Sequence, residues 1–254
     1  MQRPLIKICG MTDIDNISQM LFLEPDFLGF IFYPKSPRYV VGKLKPDMLS
    51  IIPDTVKRVG VFVNSTEAEM RQMASTYGLN VIQLHGDEKP TVCKRLREEG
   101  YEVIKAFSIA SESDFERIWA YEDVVDYYLF DTKTPGYGGS GQEFDWQLIL
   151  RQPIRKPWFL SGGISPENIA SAAQIGAYVL DLNSKFETSP GIKDYRRLQD
   201  KRIEGKLLMK EAFRDVYTSL LIGLNKEAID KGEKNLDALC RDCSDESIAL
   251  VENF

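Results

Sequence analysis

Histidine is nearly absent: His85 is the one such residue in a chain of 254. That excludes a zinc site built on several histidines of one chain, and any Ser-His-Asp arrangement would have to use His85. Cysteine is scarce too. Cys9, Cys93, Cys240 and Cys243 are too few for a disulfide scaffold at this length, so the expected setting is reducing and cytoplasmic. Cys240 and Cys243 form a C-x-x-C without a second pair or a nearby histidine, which reads as incidental spacing rather than a metal or redox motif. No apolar run reaches the roughly 18 residues of a membrane span, and the apolar stretch in MQRPLIKICGMT is too short for a signal peptide. Basic residues are not in excess: 32 Lys and Arg against 38 Asp and Glu give a net charge of −6, which argues against a nucleic-acid partner. Neither nucleic acid nor a membrane is therefore an expected partner.

What is present is alternation. Strand-like runs lie at Leu5–Cys9, Phe27–Phe32, Lys57–Val63, Val81–Leu84, Glu102–Phe107, Tyr127–Phe130, Trp158–Leu160 and Tyr178–Leu182. Between them fall helical stretches with start signals. Thr12 and Asp13 precede a helix to about Phe22, Ser65 and Thr66 one to about Tyr77, and Thr91–Glu99 follows. Ser113 and Glu116 have capping-box spacing, Asp145–Leu150 is a short helical stretch, and Pro166 opens a helix to Ile175. Phe27–Phe32 is apolar on both faces, as in a parallel sheet covered by helices. Eight such units predict an α/β protein, a compact (β/α)8 TIM barrel. A doubly wound open sheet competes, but no G-x-G-x-x-G follows the first strand.

The barrel domain is placed at residues 1–204. All 12 prolines lie at or before Pro190. From Gly205 onward the chain has three glycines and an apolar stripe, Met209, Phe213, Val216, Tyr217, Leu220, Leu221 and Leu224, at spacings of three and four. Residues 205–254 therefore read as a helical extension whose role the sequence leaves open.

In such a barrel the active site sits at the C-terminal ends of the strands. Cys9, Asn64, His85, Asp131, Ser161-Gly162-Gly163 and Asp181-Leu182-Asn183-Ser184 all fall there. Gly162-Gly163 lets backbone approach a ligand, and backbone N–H groups after Asn183-Ser184 suit an anion, so the pair of loops points to phosphate. Alone, the diglycine is equally a tight turn. Cys9 and Asp131 are the candidate acid–base pair; Lys7 shares the parity of Cys9 and could favour its thiolate. A buried structural thiol and a turn-forming aspartate are the plainer readings of those two residues. Arg38, on the stiff Ser36-Pro37-Arg38 turn, suits a planar carboxylate, or is simply a solvated loop cation. His85 reads as structural or as a hydrogen-bond donor.

The ordered set of motifs is highly specific. Lys7-Ile8-Cys9-Gly10-Met11-Thr12, Gly29-Phe30-Ile31-Phe32, Val59 to Asn64, Gln83-Leu84-His85-Gly86, Phe130-Asp131, Ser161-Gly162-Gly163-Ile164, Asp181-Leu182-Asn183-Ser184 and Pro190 to Asp194 together resemble the phosphoribosylanthranilate isomerase family of tryptophan biosynthesis, over about residues 4–200. The resemblance implies an Amadori rearrangement without metal or organic cofactor. It implies Asp131 as general acid, Cys9 as general base, Arg38 facing the anthranilate carboxylate, and the loops at Gly162-Gly163 and Asp181 to Ser184 around the phosphate. The competing functions are a related phosphosugar ketol isomerase and an inactive phosphate-binding scaffold. Ketol isomerases of this kind usually use two carboxylates, whereas strand one here ends in Cys9, and an intact Cys9, Asp131 and Arg38 set argues against a scaffold. One departure stands out: Ser184-Lys185-Phe186-Glu187 replaces the usual Ser-Gly-Val-Glu, and the charge of Lys185 is a candidate compensation for the lost glycine.

Overall fold

β-Branched and aromatic residues at Leu5–Cys9 (β1), Phe27–Ile31 (β2), Lys57–Phe62 (β3), Val81–Leu84 (β4), Glu102–Ile109 (β5), Tyr127–Thr132 (β6), Trp158–Leu160 (β7) and Val179–Leu182 (β8) form strands in the computed structural model. The structure describes residues 4–132 and 145–199. All neighbouring strands pair in parallel, and β8 returns to β1 to close the barrel in sequence order. Closure leaves the barrel without a sheet edge. The predicted (β/α)8 architecture is thus present. The proposed helix at 205–254 and the Gly-rich loop before Asp145 lie outside the described residues.

Parity along each strand sorts the side chains. Phe27, Val59, Val81, Ile104, Ala106, Leu129, Phe159 and Val179 form one buried cluster inside the barrel, with Phe27 edge-on to Phe159 at 5.3 Å between centroids. The opposite parity, including Ile6, Ile8, Leu28, Phe30, Phe62, Ile82, Leu84, Phe130, Leu160 and Leu180, joins the larger shell under the helices. The polar residues of the mouth follow the interior parity one or two steps further along: Lys7 and Cys9 on β1, Gln83 on β4 with His85 just beyond, Asp131 on β6, Asp181 on β8 with Asn183 just beyond.

Helices α1 (Ile14–Leu21), α2 (Glu67–Tyr77), α3 (Pro90–Glu98), α4 (Gln147–Leu150), α5 (Ile169–Gln174) and α6 (Tyr195–Gln199) account for the α-helical segments among the described residues. Asp13 caps α1 by accepting from Asn16 N–H, and Thr66 with Glu69 forms a full capping box on α2. Two expectations shift. The helix after β5 is a 3-10 segment, Glu112–Tyr121, and its box is Ser111 with Asp114, because the Asp114 carboxylate accepts from the Ala110 and Ser111 N–H groups. The helix expected from Pro166 starts only at Ile169. Asn168 spends its side chain on Ser165 N–H and Gly163 O, local bonds that compete with a helical first turn. A short hairpin, Glu187–Ser189 (β9) with Ile192–Lys193 (β10), follows β8 and was not anticipated.

Candidate active site

The mouth of the barrel holds a cavity open to solvent. Cys9, His85, Asp131, Gly162, Gly163, Asp181, Asn183 and Ser184 all line it, so eight of the residues expected from sequence are brought together. Ile31, Val61 and Val63 supply an apolar wall, with Tyr33 and Ser36 beside it. Such a mix of apolar wall and few convergent polar groups is typical of a small-molecule site.

Cys9 needs room that only a glycine on β2 leaves: a Cβ at Gly29 would stand 2.7 Å from the Cys9 sulfur. Lys7 lies one layer below, fully buried, and its ammonium donates to Asp181 Oδ2 at 2.9 Å and to Gln83 Oε1 at 2.7 Å. Asp181 is also the register partner of Lys7 across β1 and β8. Burial pushes the Lys7 ammonium down, but Asp181 and then Cys9 outweigh it and the net direction is up. Lys7 acts on Cys9 in the direction expected from sequence, favouring the thiolate, but it does not act alone. Burial, the largest influence, pushes the Cys9 thiol up, Lys7 pulls it down, Asp181 pushes it up again and Lys193 pulls it down; the net direction is up because burial outweighs the two ammonium groups.

Asp131, on β6, is buried except for a small face toward the cavity. Its Oδ1 accepts from Thr132 N–H at 2.8 Å, and its Oδ2 lies 3.3 Å from His85 Nε2. Gly162 has φ +76°, and a Cβ there would stand 2.5 Å from Asp131 Oδ1 and 2.6 Å from Thr132 N. The diglycine therefore serves Asp131 as much as any phosphate, a close approach the sequence did not reveal.

Arg38, on the loop after β2, does not line the cavity. Its Nε and Nη2 grip the Glu187 carboxylate, with Nη2 to Oε2 at 2.6 Å, while Nη1 donates to none of the described residues. It is thus not a solvated loop cation. Glu187 and Lys193, both missed as site residues, form the support: Lys193 Nζ donates to Glu187 Oε1 at 2.6 Å and to Asn183 Oδ1 at 2.8 Å. Burial pushes the Glu187 carboxyl up, but Arg38 and Lys193 hold it net below its ordinary range. Lys185 is exposed and outside the cavity lining, so the idea that its charge replaces the lost glycine is not supported; Phe186 beside it is buried in the outer core. Glu88 fixes the mouth loops of β3 and β4, accepting from Asn64 N–H and Gly86 N–H and pairing with buried Lys105 at 3.2 Å.

A thiol on β1 and a carboxyl group on β6, both lining one open cavity at the C-terminal mouth of a closed (β/α)8 barrel, are the site arrangement of a barrel enzyme. Residues 6–201 match the family model described as N-(5'phosphoribosyl)anthranilate (PRA) isomerase. The N-(5'-phosphoribosyl)anthranilate isomerase of Parabacteroides distasonis is 44% identical over 203 residues, 77% of this chain and 90% of that one. That of Thermotoga maritima is 41% identical over 192 residues, 75% and 92% of the two chains. The crystal structure of the Thermotoga maritima enzyme superposes with a TM-score of 0.73 at 39% identity, covering 80% of this chain and all of that one. A further isomerase structure, in complex with reduced 1-(o-carboxyphenylamino)-1-deoxyribulose 5-phosphate, superposes with a TM-score of 0.70 at 35% identity, over 80% of this chain. The chain belongs to the N-(5'-phosphoribosyl)anthranilate isomerase family.

Proposed function

We propose that Cys9 and Asp131 carry out the Amadori rearrangement of N-(5'-phosphoribosyl)anthranilate to 1-(2-carboxyphenylamino)-1-deoxyribulose 5-phosphate, the isomerase step of tryptophan biosynthesis. The observation that carries the residue assignment is that both side chains line one cavity beneath the Gly162-Gly163 and Asn183-Ser184 loops. Asp131 gives its proton to the furanose ring oxygen as the C1–O bond breaks, and the nitrogen lone pair forms the C=N bond of a protonated Schiff base. Cys9, as thiolate, takes the C2 proton; the C2 electrons form C1=C2, and the C=N pair returns to nitrogen. The enol amine then tautomerises to the ketone. C1 is reduced as C2 is oxidised, so the step is redox-balanced within the substrate.

The carboxylate that Asp131 becomes finds the Thr132 N–H donor in place, with His85 Nε2 3.3 Å from its other oxygen. Electrostatic stabilisation of this kind, prepared before charge develops, requires no reorganisation at the moment of reaction. The buried Asp181 Oδ1 has no hydrogen-bond partner among the described residues and is suited to a sugar hydroxyl or the anthranilate N–H rather than to phosphate. Gly162-Gly163 and Asn183-Ser184 take the phosphate, and the open Nη1 edge of Arg38 meets the anthranilate carboxylate while Glu187 holds the other edge. The reaction belongs in the cytoplasm, on a monomer or homodimer. Residues 1–204 are the catalytic domain in this reading, with 205–254 outside it. Turnover of the fluorescent anthranilate substrate tests the roles: Cys9→Ser and Asp131→Asn should each lose roughly 100- to 10,000-fold in kcat, the worth of one general acid or base. Activity surviving either change refutes its assignment.

A further inference from the structure

The polar groups across the mouth are ordered in one direction. An ammonium has three donors and no acceptor, so the Gln83 atom facing Lys7 Nζ at 2.7 Å has to be the carbonyl oxygen. The Gln83 amide nitrogen then faces His85 Nδ1 at 3.0 Å. A carboxamide nitrogen only donates, so Nδ1 presents its lone pair. A neutral imidazole with an accepting Nδ1 carries its proton on Nε2, the atom 3.3 Å from Asp131 Oδ2. Lys7 is itself held by Asp181 at 2.9 Å and is fully buried, so this end of the chain cannot turn over.

We propose that Gln83 is a positioning residue that transmits the fixed donor polarity of Lys7 to His85 and so holds the imidazole in its Nε2–H tautomer toward Asp131. This deepens the reading of Asp131 as general acid and rests on it. The other neutral tautomer would place a bare lone pair at Asp131, a local acceptor competing with the substrate ring oxygen for the same proton. The Nε2–H form cannot take that proton, and it donates to the carboxylate once the proton has gone. Gln83 lies on β4 at the interior parity, between Val81 and His85, so its carboxamide bridges the β1 side of the mouth to the β6 side.

The single histidine makes the test direct, since every imidazole nitrogen signal belongs to His85. Nitrogen-15 spectra of the labelled wild type at about pH 8, well above the ordinary histidine value, should show an unprotonated Nδ1 and a protonated Nε2. Gln83→Glu keeps an oxygen for Lys7 but replaces the amide donor with an acceptor, so Nδ1 should become protonated. In that variant kcat should fall at least ~10-fold with KM within ~3-fold, as expected when an interaction of the reaction step is lost rather than uniform binding. A wild type with Nδ1 protonated overturns the proposal whatever the variant does. So does a folded Gln83→Glu protein that keeps the wild-type nitrogen pattern or the wild-type kcat. Asp131→Asn, assayed alongside, separates the two layers: full activity there refutes the acid assignment, whereas an inactive Asp131→Asn beside a failed nitrogen pattern refutes the role of Gln83 alone.

Discussion

Lys7→Met replaces a buried ammonium with an apolar side chain of similar length and leaves Asp181 without its counter-charge. The Lys7 side chain is 0% exposed and that of Asp181 4%, with 2.9 Å between the charged atoms. At an effective dielectric of about 20 the attraction at that distance is roughly 6 kcal/mol, and the cost of drying two ions is of similar size. The intact pair therefore contributes little net stability, but removing one partner exposes the whole desolvation cost of the other. A loss of about 3–5 kcal/mol is expected at neutral pH. For a barrel of this size, at roughly 2–4 °C per kcal/mol, Tm should fall by about 6–20 °C. The double change Lys7→Met with Asp181→Leu should recover most of the stability while remaining inactive. Calorimetry and urea unfolding of the four proteins close the cycle. A single-variant loss below about 1 kcal/mol, or a double variant less stable than Lys7→Met, refutes the reasoning.

Three further outcomes follow from the site. Gly162→Ala puts a Cβ 2.5 Å from Asp131 Oδ1 at φ +76°, so it should cost about 1–3 kcal/mol and, by displacing the acid, roughly 100-fold in kcat, checked by unfolding and turnover. Glu187→Gln removes the counter-charge of Arg38 and Lys193 and should cost about 3 kcal/mol at pH 7. Because the folded-state Glu187 carboxyl lies below its ordinary value, its contribution is present above roughly pH 4 and disappears as pH falls through the depressed value, so wild type and variant should converge in acid denaturation. Alkylation of Cys9, followed by peptide mass, should rise about tenfold per pH unit without a plateau below the ordinary thiol value of about 8.5, since only the thiolate reacts and burial with Asp181 pushes it up against Lys7 and Lys193. A plateau near neutrality would contradict that balance.

The strand set was legible because fully buried parallel strands need β-branched and aromatic runs, and those runs have few other uses. Strand starts such as Leu5, Lys57, Val81 and Trp158 agree with the sequence reading to the residue. Helix starts were less legible where a side chain competes with the helix, as Asn168 and Asp114 do. Cys9, Asp131 and His85 could be placed by their position at strand ends. Gln83, Glu187 and Lys193 could not be given roles, although each lies in a quoted motif, because nothing local marks a glutamine as a bridge or a glutamate as an arginine clamp.

The sequence by itself determined the order of strands and helices, the parity that turns Lys7, Cys9, Gln83, Asp131 and Asp181 toward the axis, and the absence of competing imidazoles. Those are consequences of short-range periodicity and of composition. Only the closed barrel decided which charge meets which. Lys7 and Asp181 are 174 residues apart in the chain, yet β8 returns beside β1 and makes them neighbours. That closure sets the lysine against an aspartate as well as the thiol, and it leaves Gln83 within 2.7 Å of the same ammonium and 3.0 Å of His85. Hydrogen-bond polarity and the balance of buried charges depend on distances of about 3 Å, which no spacing along a chain encodes.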